Sequence, residues 1–292
     1  MKLRGKVSLA LGGAFVVGLL IAGGGAYKVL TDEAVDGSGR DARIIMEQAS
    51  AIRAYTLAEI YPLLDAQLKV QFLPHTVSAY AAQANFKLVQ KKLPEYSYRE
   101  PALNPTNIND RAADWEAEII NNFREHPDLT EATLIRNTQV GKFLTLTRPL
   151  KVGSQGCLRC HSTPEAAPPT MIALYGSQNG FGWKLNEVVA AQVVSIPLGV
   201  PLQRAYGNLL LLMAMLGGTF LVILLIVDRL LRSLVVKPVV DISKMASDVS
   251  MGKLDAPEYT RSTHDEIGSL ASSFNRMRRS LQNAMKMLEE RD

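Results

Sequence analysis

Cysteine is almost missing from this chain: 292 residues hold two. So small a supply excludes a disulfide-stapled scaffold, which spends many cysteines on a short chain. Aromatic residues are also few, at 7%, and the formal net charge is only +4. No dense basic run with interleaved aromatics occurs, so the footprint of a nucleic-acid binder is absent and no nucleic acid is expected as a partner.

Apolar sequence, by contrast, is concentrated in two charge-free runs. "VSLALGGAFVVGLLIAGGGAY" (7–27) and "NLLLLMAMLGGTFLVILLIV" (208–227) are each long enough for a bilayer core, which takes about 20 apolar residues. A cleaved secretory signal is the competing reading of the first, with Lys2, Arg4 and Lys6 as its basic start. The run is longer than a usual signal core and has no convincing small-residue cleavage site, which favours a retained anchor. Lys2, Arg4 and Lys6 precede the first run, and Arg229, Arg232 and Lys237 follow the second. An excess of Lys and Arg marks the cytoplasmic side. The expectation is a two-pass inner-membrane protein with cytoplasmic termini: an N-terminus 1–6, spans 7–27 and 208–228, a periplasmic domain 28–207, a linker 229–285 and a helix end 286–292.

Both cysteines fall in that periplasmic domain, in "GSQGCLRCHSTPEAAP" (153–168), as Cys157-x-x-Cys160 followed by His161. A redox disulfide would place them at a helix start in a βαβ pattern, whereas these flanks are loop-like, with Gly before and Pro after. Zinc takes four ligands, and His75 and His126 are not suitably spaced to complete a set. Cys-x-x-Cys-His has a meaning of its own: two thioethers to the vinyl groups of haem, and the adjacent imidazole on iron. One covalent haem c is the preferred reading; a structural disulfide is the alternative.

Around the motif, residues from Ser38 to about Leu93 show helical spacing, punctuated by Pro62 and Pro74. "ATLIRNTQVGKFLTLTRPLKV" (132–152) is rich in β-formers with a turn at Gln139–Gly141, and "EVVAAQVVSIPL" (187–198) is a further strand. Long N-terminal helices followed by an antiparallel sheet, with the haem loop between strands, describe a PAS-like α/β domain. Trp183 reads as core packing.

"PEYSYREPALNPTNINDRAADWE" (94–116), "GCLRCH" and "NGFGWKLNEVVAAQVVSIP" (179–197) together resemble the periplasmic c-haem sensor family first catalogued as a domain of unknown function. The likeness covers about residues 38–200. It implies a PAS-like fold, haem attached through Cys157 and Cys160, and His161 as proximal iron ligand. It also implies a cysteine on the first helix as distal ligand, and here the chain departs, having no third cysteine. Met46 on that helix is the first substitute, since a thioether is a usual partner for His on c-type haem, His75 is the second, and an open or water-bound site is the remaining alternative. Core packing is the competing reading of Met46. Arg99 is a candidate partner for a haem propionate, or an ordinary surface charge.

The tail reads as two helices. Pro238 opens the first, with Ile242, Met245 and Val249 on one stripe. Ile267, Leu270, Phe274, Met277, Leu281, Ala284 and Leu288 of the second recur at steps of three and four, a heptad seam suited to a parallel coiled coil. Pro238 and Asp265-Glu266-Ile267-Gly268 resemble the HAMP linker, which implies a homodimer that relays motion to an output module. None follows before Asp292, so the output is expected in trans (a kinase, cyclase or chemoreceptor module), or the chain is a fragment. The expected protein is a redox or small-gas sensor and not an enzyme; the alternative is a membrane-anchored monohaem electron carrier.

Overall fold

The computed structural model describes residues 3–68, 70–253, 257–260 and 265–289. The chain divides into two compact units, one of Tyr27–Asn208 and one of Met1–Ala26 with Leu209–Asp292.

Helix α1 (Leu3–Tyr55) starts ahead of the first apolar run, contains all of it and continues without a break to Tyr55. A π-helical turn, Thr56–Ile60, joins it to α2 (Tyr61–Leu68). The ladder widens where Pro62 follows, a residue that cannot donate and whose ring crowds the preceding turn. A 3-10 turn at Pro74–Thr76 leads to α3 (Ser78–Gln90). The stretch expected to be helical is therefore helical in pieces, divided at both prolines.

Four strands form the sheet of Tyr27–Asn208: β1 (Ser97–Arg99), β2 (Ala132–Thr138), β3 (Gly141–Lys151) and β4 (Val188–Pro197). All pairings are antiparallel, in the order β1-β4-β3-β2. Helix α4 (Asp114–Glu125) lies between β1 and β2 in sequence, and α5 (Gln155–His161) and α6 (Pro169–Tyr175) between β3 and β4. The segment read as a haem loop thus folds as a short helix, with Ser154 at its start.

Side chains alternate across a strand, and the sheet uses both faces. Leu144, Leu146, Val194 and Ile196 pack with Ala42, Met46 and Ala49 of α1 and with Ala82 and Phe86 of α3. Ala191 and Val193, on the other face, pack with Ile120 and Phe123 of α4. At one end of β4, Ala102, Val152, Val189 and Ala190 form a third cluster.

Helix α7 (Gly199–Leu230) follows β4 after one residue, and its residues from Leu209 onward belong to the other unit. A π-helical turn, Leu231–Val236, then leads to α8 (Lys237–Ser250), and α9 (Glu266–Glu289) completes the element order. The helices beginning with α1 and α7 are long and apolar enough to cross a membrane, and Phe15 stacks on Phe220 with centroids 3.6 Å apart. The Asp265 carboxylate accepts the Gly268 N–H at 2.7 Å, capping α9. Helix α9 buries Ala271, Asn275 and Arg278, whereas Leu270, Met277 and Leu281 of the heptad seam stay exposed. The side chain of Leu288, the last seam position, lies outside the described residues.

Candidate cofactor site

Helix α5 sets Cys157 and Cys160 three residues apart, on one helical face. Both thiols are free. Cys157 and Leu158 pack on the Ala102, Val152, Val189 and Ala190 cluster, so the motif rests on an apolar floor. Burial holds the Cys160 thiol above its ordinary pKa.

The geometry is most informative at His161. Its Nδ1 lies 2.8 Å from the Gly180 carbonyl oxygen. A carbonyl only accepts, so Nδ1 carries the proton and Nε2 keeps a lone pair for a metal. Burial lowers the imidazole's pKa, against the opposing pull of the Gly180 bond, which favours the neutral, ligating form. Trp183 stacks on the ring with centroids 3.9 Å apart and planes at 12°. Gly180 has φ +85°, and a Cβ there would stand 2.8 Å from the Thr106 backbone. Only glycine can therefore bring this carbonyl to His161. Asn104 secures the same loop, its side-chain oxygen accepting the Gly180 N–H at 3.2 Å.

Three separated sequence motifs thus meet around one imidazole. The turn 101–107 supplies Asn104 and Thr106, α5 supplies the thiols and His161, and 179–183 supplies Gly180 and Trp183. Trp183, read as core packing, packs on the apolar cluster and also orients the imidazole. Thr106 and Gly180 were not singled out as site residues; the one signal was that both lie inside motifs carrying the family resemblance.

The other candidates lie elsewhere. Met46 is fully buried among the apolar residues of α1, α3 and the sheet, while Cys157 and Leu158 belong to a different cluster. Its surroundings are those of a core methionine, and the structure does not bring it into the His161 cluster. His75 is exposed in the Pro74–Thr76 turn, edge-on to Tyr80 at 5.2 Å. The neighbouring Phe72 N–H is tied at 2.9 Å to Thr170 of α6, the helix that follows the motif. Arg99 does not face the motif: it pairs with buried Glu116 at 3.1 Å on the α4 side of the sheet.

A polar network that the sequence did not announce lies beside the motif. Arg53 of α1 pairs with buried Glu100. The Tyr98 hydroxyl donates to Glu100 at 2.6 Å, and Gln192 donates to that hydroxyl at 2.8 Å and to Ser50 of α1 at 3.4 Å. Two residues after Glu100 and two before Gln192, Ala102 and Ala190 support Cys157 and Leu158.

A haem-c attachment site requires two accessible thiols, an imidazole with Nε2 free and an apolar wall, and these residues fit it. Among the described residues no three His, Cys, Asp or Glu side chains gather as a metal-ion site, so the donor set does not suit structural zinc.

A helical N-terminal region, an antiparallel sheet and a fixed Cys-x-x-Cys-His helix define the class. Residues 32–197 match the family described as Tll0287-like, and residues 230–283 match the HAMP domain. The first match covers more than half of the chain, which therefore belongs to the Tll0287-like family, joined to a HAMP domain. Among solved structures, the cyanobacterial heme-protein Tll0287 is similar at 17% identity with a TM-score of 0.42, over 54% of this chain and 92% of that one. No curated protein matches.

Proposed function

We propose that this chain is a membrane-bound haem-c sensor that reports redox state or a small gas through its HAMP domain to a signalling partner in trans. The observation that carries the reading is the clasp on His161, in which Gly180 takes Nδ1 and leaves Nε2 for iron. The family is named for Tll0287, a heme-protein, which supports it. Cys157 and Cys160 hold one haem covalently, and His161 is the proximal ligand. Held there, the group would supply a redox-active iron able to bind a small gas. The Ala102–Ala190 floor excludes water, and Trp183 and Gly180 fix the plane of the imidazole.

Transmission uses the chain's own connections. The network of Arg53, Glu100, Tyr98 and Gln192 ties α1 to β1 and β4, and β4 leads directly into α7 and on to α8. In this reading α1 and α7 cross the inner membrane, Tyr27–Asn208 is periplasmic, and two copies pair through the exposed seam of α9. Switching a population from 1:99 to 99:1 takes about 5.5 kcal/mol of differential stabilisation. We assign the chain no catalytic step.

Two measurements test the proposal. Expressed with a c-type maturation system, the full chain keeps haem through denaturing electrophoresis, and Cys157→Ala with Cys160→Ala releases it. Retention in that double variant overturns the covalent assignment. Cysteine probes at Met277 and Leu281 then cross-link at different rates in oxidised, reduced and carbon-monoxide-treated membranes. Rates indifferent to every condition overturn the signalling role and leave an anchored electron carrier.

A further inference from the structure

On the sheet face opposite the thiol motif, a cleft of about 270 Å³ opens beside the first turn of α4. Its walls include Arg99, Arg136, Trp115, Ser97 and Ser195. The haem reading uses none of them, and none belongs to the cluster under Cys157.

The charges in the cleft do not cancel. Glu116 is buried and already spent: it accepts from Arg99 at 3.1 Å and from the Ala113 backbone N–H at 2.9 Å. Arg136 has no carboxylate partner among the described residues. Its guanidinium instead lies 3.4 Å over the Trp115 ring. Such stacking engages the flat face of the cation and leaves the in-plane N–H fork open. Two guanidiniums against one carboxylate give the cleft one uncompensated positive charge.

The floor adds donors at the right place. Ser97 pairs in register with Ser195, and Ser195 with Thr145, so three hydroxyls form a row across β1, β4 and β3. Thr145 and Ser195 bond each other at 3.1 Å, while the Ser97 hydroxyl has no hydrogen bond among the described residues. Val140, Phe143 and Val193 form an apolar wall. The volume falls just below the roughly 300–1,000 Å³ of most ligand pockets, which limits the occupant to a small molecule.

From this arrangement we infer that the cleft binds a small organic monocarboxylate, its carboxylate held by the Arg136 fork and the serine hydroxyls and its short apolar body against Val140 and Phe143. The single net charge matches a monoanion, and the apolar wall disfavours a fully hydrated inorganic one. The inference does not rest on the haem reading.

Calorimetric titration of the full chain in detergent with propionate, benzoate, succinate and inorganic phosphate tests it. Propionate or benzoate binds saturably, succinate more weakly, and phosphate not at all. Arg136→Gln weakens the monocarboxylate at least tenfold, and Ser195→Ala weakens it several-fold. If Arg136→Gln does not fold, Arg136→Lys substitutes, keeping the charge and losing the fork, with a several-fold loss expected. Absence of saturable monocarboxylate binding, equal affinity in the Arg136 variant, or a preference for phosphate each overturns the inference.

Discussion

Along β3, Leu144 and Leu146 point to one face of the sheet and Thr145 and Thr147 to the other, and all four are at most 1% exposed. Burial is the same on the two sides, and the chemistry is opposite. On the α1 side the leucines meet Met46, Phe86 and Val194, and the contact is held by area removed from water. On the α4 side each threonine hydroxyl must find a partner, because an unbonded buried hydroxyl is costly. Thr145 bonds Ser195 at 3.1 Å, and Thr147 donates to the Ala132 carbonyl at 3.2 Å. Both faces hold a helix, but the α4 face, beside its Ile120, Phe123, Ala191 and Val193 contact, also carries a row of bonded hydroxyls next to the Arg136 cleft. One strand serves two purposes because its side chains alternate.

The largest expected effect lies on the apolar face. Met46→Ala leaves a cavity where no surface can collapse, and denaturant melts should register a loss of about 2–5 kcal/mol. If Met46 is a core residue, the optical spectrum of the haem-loaded variant stays that of the parent. A spectrum that changes as a lost axial ligand would return Met46 to the iron and erase the contrast between core and site.

Gly180→Ala comes next. Left-handed backbone and a Cβ 2.8 Å from Thr106 make it an overpacked, strained position, with a cost of roughly 1–3 kcal/mol. The readout specific to the clasp is the haem spectrum, which should shift as His161 loses its fixed orientation. Stability lost without a spectral change would reduce Gly180 to a turn residue.

Much of this was legible beforehand, and for definable reasons. The strands on either side of Gly141, the apolar runs and the Cys-x-x-Cys-His string are local patterns. Strand β1 was missed because three residues, Ser97–Arg99, are too few to show a period of two. Helix α5 was read as loop because seven residues between glycine and proline show no helical repeat. The pairing of Arg99 with Glu116 could not be read in advance, because the face of Arg99 depends on register with Val193, a long-range fact. The partner of His161 was hidden for the same reason: Gly180 lies 19 residues away, brought close by Asn104 from a third segment.

On the hydroxyl face the effect should be smaller. Thr145→Val removes one bond to a half-exposed Ser195, so about 0.5–1.5 kcal/mol is expected. A gain in stability instead would mean that the buried hydroxyl row is surplus to folding, which sharpens the difference between the faces.

The smallest effect belongs to the polar rim where α1 crosses β3. Glu131 accepts from Arg148 at 2.9 and 3.0 Å and from Arg43 at 3.1 Å, and Arg148 also reaches Glu47 at 2.7 Å. Partial burial alone would raise the Glu131 pKa, but the bonds and charges of the two arginines outweigh it and hold the carboxyl below 4.5. A carboxylate depressed in the folded state stabilises in full above its unfolded value, and loses that contribution as pH falls through the folded one. Arg43 is more than half exposed, so screening limits the gain to about 0.2–1 kcal/mol. Glu131→Gln should therefore be less stable than the parent near neutral pH, and the gap should close as pH drops below 4.5. Denaturant melts of the pair across that range measure it. A gap that holds at acid pH would show that Glu131 acts through packing, and the rim would then belong with the apolar face it borders.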